Sequence, residues 1–164
     1  MSRRNRRMVE IYEITDGKQL ESIKELFIEY ANSLGVDLAF QGFEEELNSL
    51  PGKYSAPEGC ILLAEVNGYA AGSVALRKIS QEICEMKRLY VRNDFRGMGI
   101  GKLLANRIIK KACELGYSQM RLDTLPTMIA AQVMYRELGF YEIESYVYNP
   151  IEGTKFLELE LRIL

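Results

Sequence analysis

The chain has 164 residues, of which 48% are hydrophobic and 27% are charged, and its formal net charge is −2. This length and composition suit a single globular domain with a sizeable core, and the slightly acidic balance argues against nucleic acid as a partner. The sequence contains no histidine, which excludes the commonest general base and zinc ligand. Any acid–base chemistry therefore depends on carboxylates, phenols, amines or thiols.

Two features bear on location: a basic N-terminus and three cysteines. Residues 1–8 are rich in arginine but precede no apolar segment of signal-peptide type, so we predict a flexible tail and one domain over residues 9–164. Cys60, Cys84 and Cys113 lie in apolar runs without metal-site spacing, which predicts reduced thiols, no bound metal and a cytoplasmic protein. No apolar run is long enough to span a bilayer, so no membrane partner is expected. A monomer and a homodimer both remain open.

The first half of the chain predicts one strand, two helices and an antiparallel meander of three strands. Gly35 fits the end of the first helix. Asn67-Gly68 lies between two apolar runs, which is the strongest short hairpin signal. In chain order, the predicted elements are strand 9–15, helix 18–34, helix 43–50 and strands 60–66, 69–79 and 82–91.

The second half predicts two helices that alternate with strands. Gly116 and Gly139 fit the ends of these helices. The predicted elements are helix 99–115, strand 119–124, helix 127–138 and strands 140–147 and 154–163. The order β-α-α-β-β-β-α-β-α-β-β indicates an α+β fold with helices on both faces of a central sheet.

The most informative segment lies between the strand 82–91 and the helix 99–115. Three glycines alternate there, at Gly97, Gly99 and Gly101. Glycine permits a positive φ and a close approach of the backbone to a ligand. A helix that starts in such a turn points its unpaired N–H groups at an anion, most often a phosphate.

Two familiar phosphate motifs fit this segment poorly. A nucleoside-triphosphate loop requires Ser or Thr after Gly-Lys, but Leu103 follows Lys102, and Arg96 occupies the position of the first glycine. A dinucleotide-binding turn requires a third glycine where Lys102 stands, and it belongs to the first βα turn of a domain. A nucleotide-binding protein is therefore a remote alternative.

A third interpretation rests on a resemblance that covers nearly the whole chain. Arg96, Gly99 and Gly101 match the pyrophosphate loop of the GNAT N-acetyltransferase superfamily, and residues 85–91 resemble the strand before that loop. Residues 131–140, with Tyr135 and a final Gly-Phe, resemble the second motif of the superfamily. The resemblance implies a GNAT-like α+β fold, with a central mixed, mostly antiparallel sheet of about seven strands flanked by four helices on both faces.

The resemblance also implies acetyl-CoA (coenzyme A) as the acyl donor. The backbone of Leu89, Tyr90 and Val91 would pair with the pantetheine arm, and an N–H near Leu89 or Tyr90 would polarise the thioester carbonyl. Met128 stands where the family often has asparagine, so one contact with the pantetheine is lost or supplied by neighbouring backbone. The pyrophosphate would be bound by Arg96, Gly97, Met98, Gly99, Ile100, Gly101 and Lys102.

Two residues are predicted to be catalytic. Tyr135 matches the tyrosine that resembles a general acid in this family, which would protonate the leaving thiolate; packing between helix and sheet is the alternative. Glu85 is our candidate general base, because strand alternation places its carboxylate on the same face as Lys87. The alternative is that Glu85 only pairs with Lys87, Arg77 or Arg88 across the sheet. Weaker candidates for the base are Glu82, Asp123 and Tyr148.

The acceptor pocket is predicted between the first helices and the hairpin at residues 145–155. Core packing is an equally good explanation for Phe40 and Tyr54. The predicted function is transfer of an acetyl group to a primary amine of a small molecule or peptide, by direct attack in a ternary complex. A non-catalytic acyl-CoA-binding sensor or regulatory module is the alternative. Residues that line the predicted pocket are Phe40, Gln41, Tyr54, Arg77, Tyr146 and Tyr148.

Overall fold

In the computed structural model, which describes residues 8–162, a seven-stranded sheet forms the centre of the molecule. The strands are β1 (Val9–Glu13), β2 (Cys60–Val66), β3 (Tyr69–Lys78), β4 (Ile83–Val91), β5 (Gln119–Thr124), β6 (Tyr141–Ile143) and β7 (Lys155–Glu160). The helices are α1 (Lys18–Ser33), α2 (Phe43–Ser49), α3 (Ile100–Glu114) and α4 (Ile129–Leu138). The predicted flexible tail, except Met8, lies outside the described residues.

The sheet order is β1-β2-β3-β4-β5-β7-β6. Among the described strands, β4 and β5 form the one parallel pair, and the other neighbours are antiparallel. The hairpin at Asn67-Gly68 joins β2 to β3, and both residues have the positive φ expected of such a turn. This mixed sheet with four helices confirms the predicted fold class.

Each face of the sheet has its own apolar core. Strand β2 is apolar along nearly its whole length, because Leu62 and Ala64 face one side while Ile61 and Leu63 face the other. On the first side, Leu104 and its neighbours in α3 pack on the sheet together with α4. On the other side, the buried face of α1 packs with residues of α2. The two helical layers therefore hold the central strands from both faces.

Strand β4 is irregular at Arg88, where the backbone has φ 61°. At this point two residues of β4 oppose one of β3, which is a β-bulge. On its other side β4 pairs with β5 only from Ile83 to Glu85. Beyond Glu85 the two strands separate, and this divergence opens a cleft in the middle of the sheet.

The predicted strand 140–147 is wrong in its second half, because β6 ends at Ile143. The hydroxyl of Tyr146 donates a hydrogen bond to Glu85, at 2.5 Å, and the Asn149 amide donates one to Asp123, at 3.1 Å. These bonds direct residues 144–154 toward β4 and β5. Within the described residues, none of the helices is both long and apolar enough to cross a membrane.

Candidate active site

The cleft between the diverging strands has an outer part of about 720 Å³. It lies between β4, the start of α3 and the start of α4, and α1 covers one side. Its walls are formed by Tyr30, Ser33, Leu34, Leu89, Tyr90, Val91, Asn93, Arg96, Gly101, Thr127, Met128, Ile129, Ala130, Ala131 and Met134. Backbone of β4 and the first turn of α3 thus face the same space.

A smaller cavity of about 30 Å³ adjoins this cleft, and we call it the inner pocket. Tyr30, Leu89 and Met128 line both spaces, so the inner pocket is the narrow end of one continuous cleft. Its full lining is Tyr30, Gln41, Met86, Lys87, Arg88, Leu89, Leu122, Asp123, Met128 and Tyr135. Most of these side chains are polar or charged, in contrast to the outer cleft.

The glycine turn has the geometry of an anion site. Gly97 and Gly99 have φ values of 83° and 76°, which favour glycine. The first backbone hydrogen bond of α3 runs from Leu103 N to Gly99 O, at 3.1 Å, so the N–H groups of the first turn are left for a ligand. A Cβ at Gly101 would lie 3.8 Å from Val91 Cγ2, an ordinary contact. The protein itself does not require glycine there, whereas a ligand close to the backbone does.

Tyr135 lies at the narrow end of the cleft and is 5% exposed. Its ring packs edge-to-face on Phe140, with the centroids 5.6 Å apart. Among the described residues none forms a hydrogen bond with its hydroxyl. Burial raises the pKa of Tyr135, with smaller contributions from Tyr30 and Asp123. The phenol is therefore protonated at neutral pH, as a proton donor must be.

Glu85 is buried, and both of its oxygens have partners. Oε1 accepts a hydrogen bond from Arg77 Nε at 2.6 Å, and Oε2 accepts one from Tyr146. Lys87 Nζ lies 4.0 Å from Oε1. Burial by itself would raise the pKa of Glu85, but Lys87, Arg77 and the bond from Tyr146 outweigh it and lower the pKa. Glu85 is therefore a carboxylate, and it lines neither part of the cleft.

A second buried ion pair connects α2 to β4 behind the inner pocket. The Arg88 guanidinium donates two hydrogen bonds to Glu46, at 2.8 and 2.9 Å, and a third to Gln41 Oε1, at 2.8 Å. It also lies over the rings of Phe43 and Tyr30. Burial raises the pKa of Glu46, but the bonds and charge of Arg88 reverse this and lower it. The charge of Arg88 is thus balanced by Glu46.

Residues 20–140 of the chain match the model of the acetyltransferase (GNAT) family. The chain belongs to this family. An uncharacterised N-acetyltransferase of Schizosaccharomyces pombe is 41% identical over 146 residues, which cover 88% of the chain and 90% of that protein. The N-acetylaspartate synthetase of Homo sapiens is 35% identical over 102 residues, which cover 61% of the chain but 34% of that protein.

Solved structures agree with this assignment at the level of the fold. An acetyltransferase of the GNAT family from Staphylococcus aureus superposes with a TM-score of 0.78 at 24% identity, over 94% of the chain and all of that protein. A protein from Salmonella typhimurium that was solved with its cofactor acetyl-CoA superposes with a TM-score of 0.66 at 20% identity, over 94% of each chain. The GNAT chain described here is therefore an acyltransferase of the N-acetyltransferase type, as predicted.

Among the residues predicted to bind the cofactor, about half line the outer cleft of this GNAT protein. Lys102 is exposed on α3 outside the cleft lining, and the side chain of Ile100 points into the core. Gly97, Met98 and Gly99 form the turn itself. The residues that line the cleft are Leu89, Tyr90, Val91, Arg96, Gly101 and Met128.

The predictions for the acceptor side agree less well with the structure. Tyr54 lines neither part of the cleft, because it is 1% exposed and packs on Phe27 in the core beneath α1. The guanidinium of Arg77 is paired with Glu85. Phe40 and Tyr148 meet edge-to-face at 6.3 Å, and Tyr148 is 75% exposed, so this aromatic pair belongs to the protein surface.

Five residues of the inner pocket lie outside the predicted site, namely Tyr30, Met86, Lys87, Arg88 and Leu122. Tyr30 has the spacing of a core residue in α1, and nothing in its neighbourhood distinguishes it. Lys87 and Arg88 are consecutive cations within an otherwise apolar strand, which is a usable signal, because a buried charge requires a partner or a ligand.

Proposed function

We propose that this GNAT protein transfers an acetyl group from acetyl-CoA to a primary amine of a small molecule or peptide, by direct attack within a ternary complex. The single observation that carries the proposal is the continuity of the cleft. It begins at the anion-binding turn of α3, follows the unpaired part of β4 and ends at the buried phenol of Tyr135. A donor and an acceptor can meet in this space without a covalent enzyme intermediate.

The residues of the outer cleft fit acetyl-CoA, which supplies the acetyl thioester when it is bound. The amides at the start of α3 and the Arg96 side chain are proposed to hold its pyrophosphate. Arg96 is positioned by a hydrogen bond from Nε to Val91 O, at 3.1 Å. Beyond Glu85 the backbone of β4 has no strand partner on its β5 side. Its amide groups are therefore available to a ligand that carries amides of its own.

Tyr135 is proposed as the general acid. As the amine nitrogen bonds to the acetyl carbon, the carbon–sulfur bond breaks and Tyr135 gives its proton to the sulfur. Tyr135 regains a proton from the nitrogen, which becomes an amide. A backbone N–H at Leu89 or Tyr90 is proposed to stabilise the oxyanion. The ammonium must also lose one proton to a base before attack, and this proton passes on to solvent.

Two carboxylates are candidates for that base. Glu85, the residue predicted from the sequence, would act through a water relay, since its oxygens are held by Arg77 and Tyr146. Asp123 lines the inner pocket together with Tyr135. We favour Asp123, because it lines the inner pocket whereas Glu85 lines neither part of the cleft, and we assign Glu85 the role of positioning Lys87 and Tyr146.

The test is a release assay for the CoA thiol with acetyl-CoA and a panel of primary amines. Tyr135→Phe keeps the ring and its packing on Phe140 but removes the proton. We expect kcat to fall about 100-fold or more, with no change in the affinity for acetyl-CoA. Tyr69→Phe is the matched control, because Tyr69 is 71% exposed on β3. An unchanged kcat in Tyr135→Phe would contradict the assignment of the general acid.

The cytoplasm is the proposed location, because Cys60, Cys84 and Cys113 are all free thiols and such thiols persist in a reducing compartment. The N-acetylaspartate synthetases among the relatives are named for an acetylated amino acid, but the chain spans about a third of the human protein.

A further inference from the structure

The charges around the inner pocket are not all balanced by partners within the protein. Arg88 is matched by Glu46, and Arg77 is matched by Glu85. Two further charged groups line the pocket, namely Lys87, whose ion pair with Glu85 is 4.0 Å long, and Asp123, which forms no ion pair within the described residues. Any ligand of this pocket therefore meets one cation with a long ion pair and one anion without an ion pair.

Lys87 is buried, and its ion pair with Glu85 is long. Its side chain is 8% exposed, and its Nζ lies 4.0 Å from Glu85, which Arg77 already neutralises at 2.6 Å. Its hydrogen bond goes to Gln41 Oε1, at 3.2 Å. A buried ammonium is costly unless an anion pairs with it.

Gln41 adds a second donor beside Lys87. Its Oε1 accepts hydrogen bonds from both Lys87 and Arg88, which fixes the orientation of the amide. Its Nε2 donates to none of the described residues. Lys87 Nζ and the Nε2 amide group of Gln41 can both donate hydrogen bonds to a carboxylate.

Asp123 provides the opposite charge near Tyr135. Its carboxylate accepts one hydrogen bond, from the neutral amide of Asn149 at 3.1 Å. Within residues 8–162, no lysine or arginine lies within ion-pair distance of it. A carboxylate without a cation, beside the proposed acid, suits the ammonium of an acceptor.

We propose that the acceptor is an amino acid with a free carboxylate. Its ammonium binds to Asp123 next to Tyr135, and its carboxylate binds to Lys87 and the Gln41 amide. This inference rests on the proposed acetyl transfer and specifies its substrate class. The inner pocket of about 30 Å³ has the volume of about one water molecule, so the charged groups of the acceptor reach into it while the rest of the acceptor lies in the adjoining outer cleft.

The experiment compares the L-amino acids with their own carboxamides, which retain the ammonium but lose the negative charge. For the best acceptor, we expect kcat/KM of the acid to exceed that of the carboxamide about 10-fold or more, the effect of one charge-assisted hydrogen bond. Lys87→Met should remove most of this preference, because kcat/KM falls further for the acid than for the carboxamide. Gln41→Leu should reduce the preference severalfold for the same reason.

Lys78→Met is the matched control, since Lys78 forms an ion pair with the exposed Glu58 away from the pocket. It should leave both kcat/KM values unchanged. Calorimetry on the CoA-loaded protein gives a second measurement that needs no turnover, and the acid should bind more tightly than the carboxamide.

The outcomes separate this inference from the proposed function. Acetylation of carboxamides and simple amines as fast as amino acids would overturn the amino-acid assignment and leave acetyl transfer intact. If no amine of the panel is acetylated, the proposed function fails. Selective binding of the acid in calorimetry would then still support the recognition by Lys87 and Gln41, and equal or absent binding would overturn it.

Discussion

The two ends of the cleft are built on different principles. At the outer end, the cleft is lined by backbone of the first turn of α3 with its glycines and of the part of β4 that has no partner on its β5 side. At the inner end, it meets side chains from α1, the segment before α2, β4, β5 and α4, held in place by buried ion pairs. A site made of backbone depends on local sequence, whereas a site made of converging side chains depends on the whole fold. The outer end should therefore be robust to distant substitutions and the inner end sensitive to them.

The largest expected effect concerns the buried pair of Arg88 and Glu46, whose side chains are 2% and 3% exposed. Arg88→Met leaves Glu46 buried with only the partly exposed Lys53 as an ion-pair partner, at 3.2 Å, which should lower the free energy of unfolding by about 3 kcal/mol. Urea titration measures the loss. Recovery of most of it in the double variant Arg88→Met with Glu46→Leu would show that the poorly paired carboxylate is the cause.

The matched control for that pair is Lys78→Met, which breaks an exposed ion pair and should cost at most about 1 kcal/mol. An equal loss in Arg88→Met and Lys78→Met would mean that the inner end does not depend on its buried charges. The contrast between the two ends would then disappear.

A second prediction separates the two carboxylates proposed for proton removal. Asp123→Asn should lower kcat/KM about 100-fold, because the base is gone. Glu85→Gln should reduce kcat/KM less. The measurement is kcat/KM of both variants beside the parent protein. A larger loss of kcat/KM in Glu85→Gln than in Asp123→Asn would instead identify Glu85 as the base.

At the outer end, Gly101→Leu should fill the cleft without disturbing the fold, because a Cβ at this position meets only Val91 at 3.8 Å. We expect the KM for acetyl-CoA to rise about 10-fold, the equivalent of about 1.4 kcal/mol of binding, with Tm nearly unchanged. Asn106→Leu on the exposed part of α3 is the control. A normal KM for acetyl-CoA in Gly101→Leu would contradict the assignment of the glycine turn to the cofactor site.

The smallest effect is the dependence of stability on pH. The folded-state pKa values of Glu46 and Glu85 lie below their ordinary value of 4.5. The stability that these carboxylates contribute is therefore fully present above pH 4.5 and is lost as the pH falls through their folded values. Urea titrations from pH 7 to pH 3 should show this loss, and the Glu46→Leu, Arg88→Met double variant should show less of it. Identical pH dependence would exclude Glu46 as a contributor.

The same contrast explains how much the sequence could predict. Most elements follow from apolar periodicity and glycine positions, and the strand 119–124 agrees with β5 at both ends. The glycine turn is a local motif, and six of the eleven residues predicted to bind the cofactor line the outer cleft. The pair of Arg88 and Glu46 joins positions 42 residues apart, and no local pattern reveals such a partner.

Two errors have the same physical origin. The alternation in residues 140–147 suits a strand. However, the hydrogen bonds from Tyr146 to β4 and from Asn149 to β5 hold the end of this segment against those two strands instead. The alternation of side chains between the two faces of β4 is also interrupted at Arg88, where the backbone has a positive φ and forms a bulge. An arginine in the sequence does not indicate such a conformation. In both places tertiary contacts override the local preference of the chain.

The separation of β4 from β5 beyond Glu85, next to the bulge at Arg88, leaves strand backbone without a partner inside the sheet. Unpaired strand backbone normally lies at the border of a sheet, where it invites another protein to add a strand and so promotes aggregation. Here the exposed hydrogen-bonding groups of β4 lie in the interior of the sheet, between α1 and α4. A slender ligand with amide groups can reach them, whereas a strand of another protein cannot. The fold thus allows a small molecule to form strand-like hydrogen bonds with β4, and it avoids the aggregation that an exposed edge strand promotes.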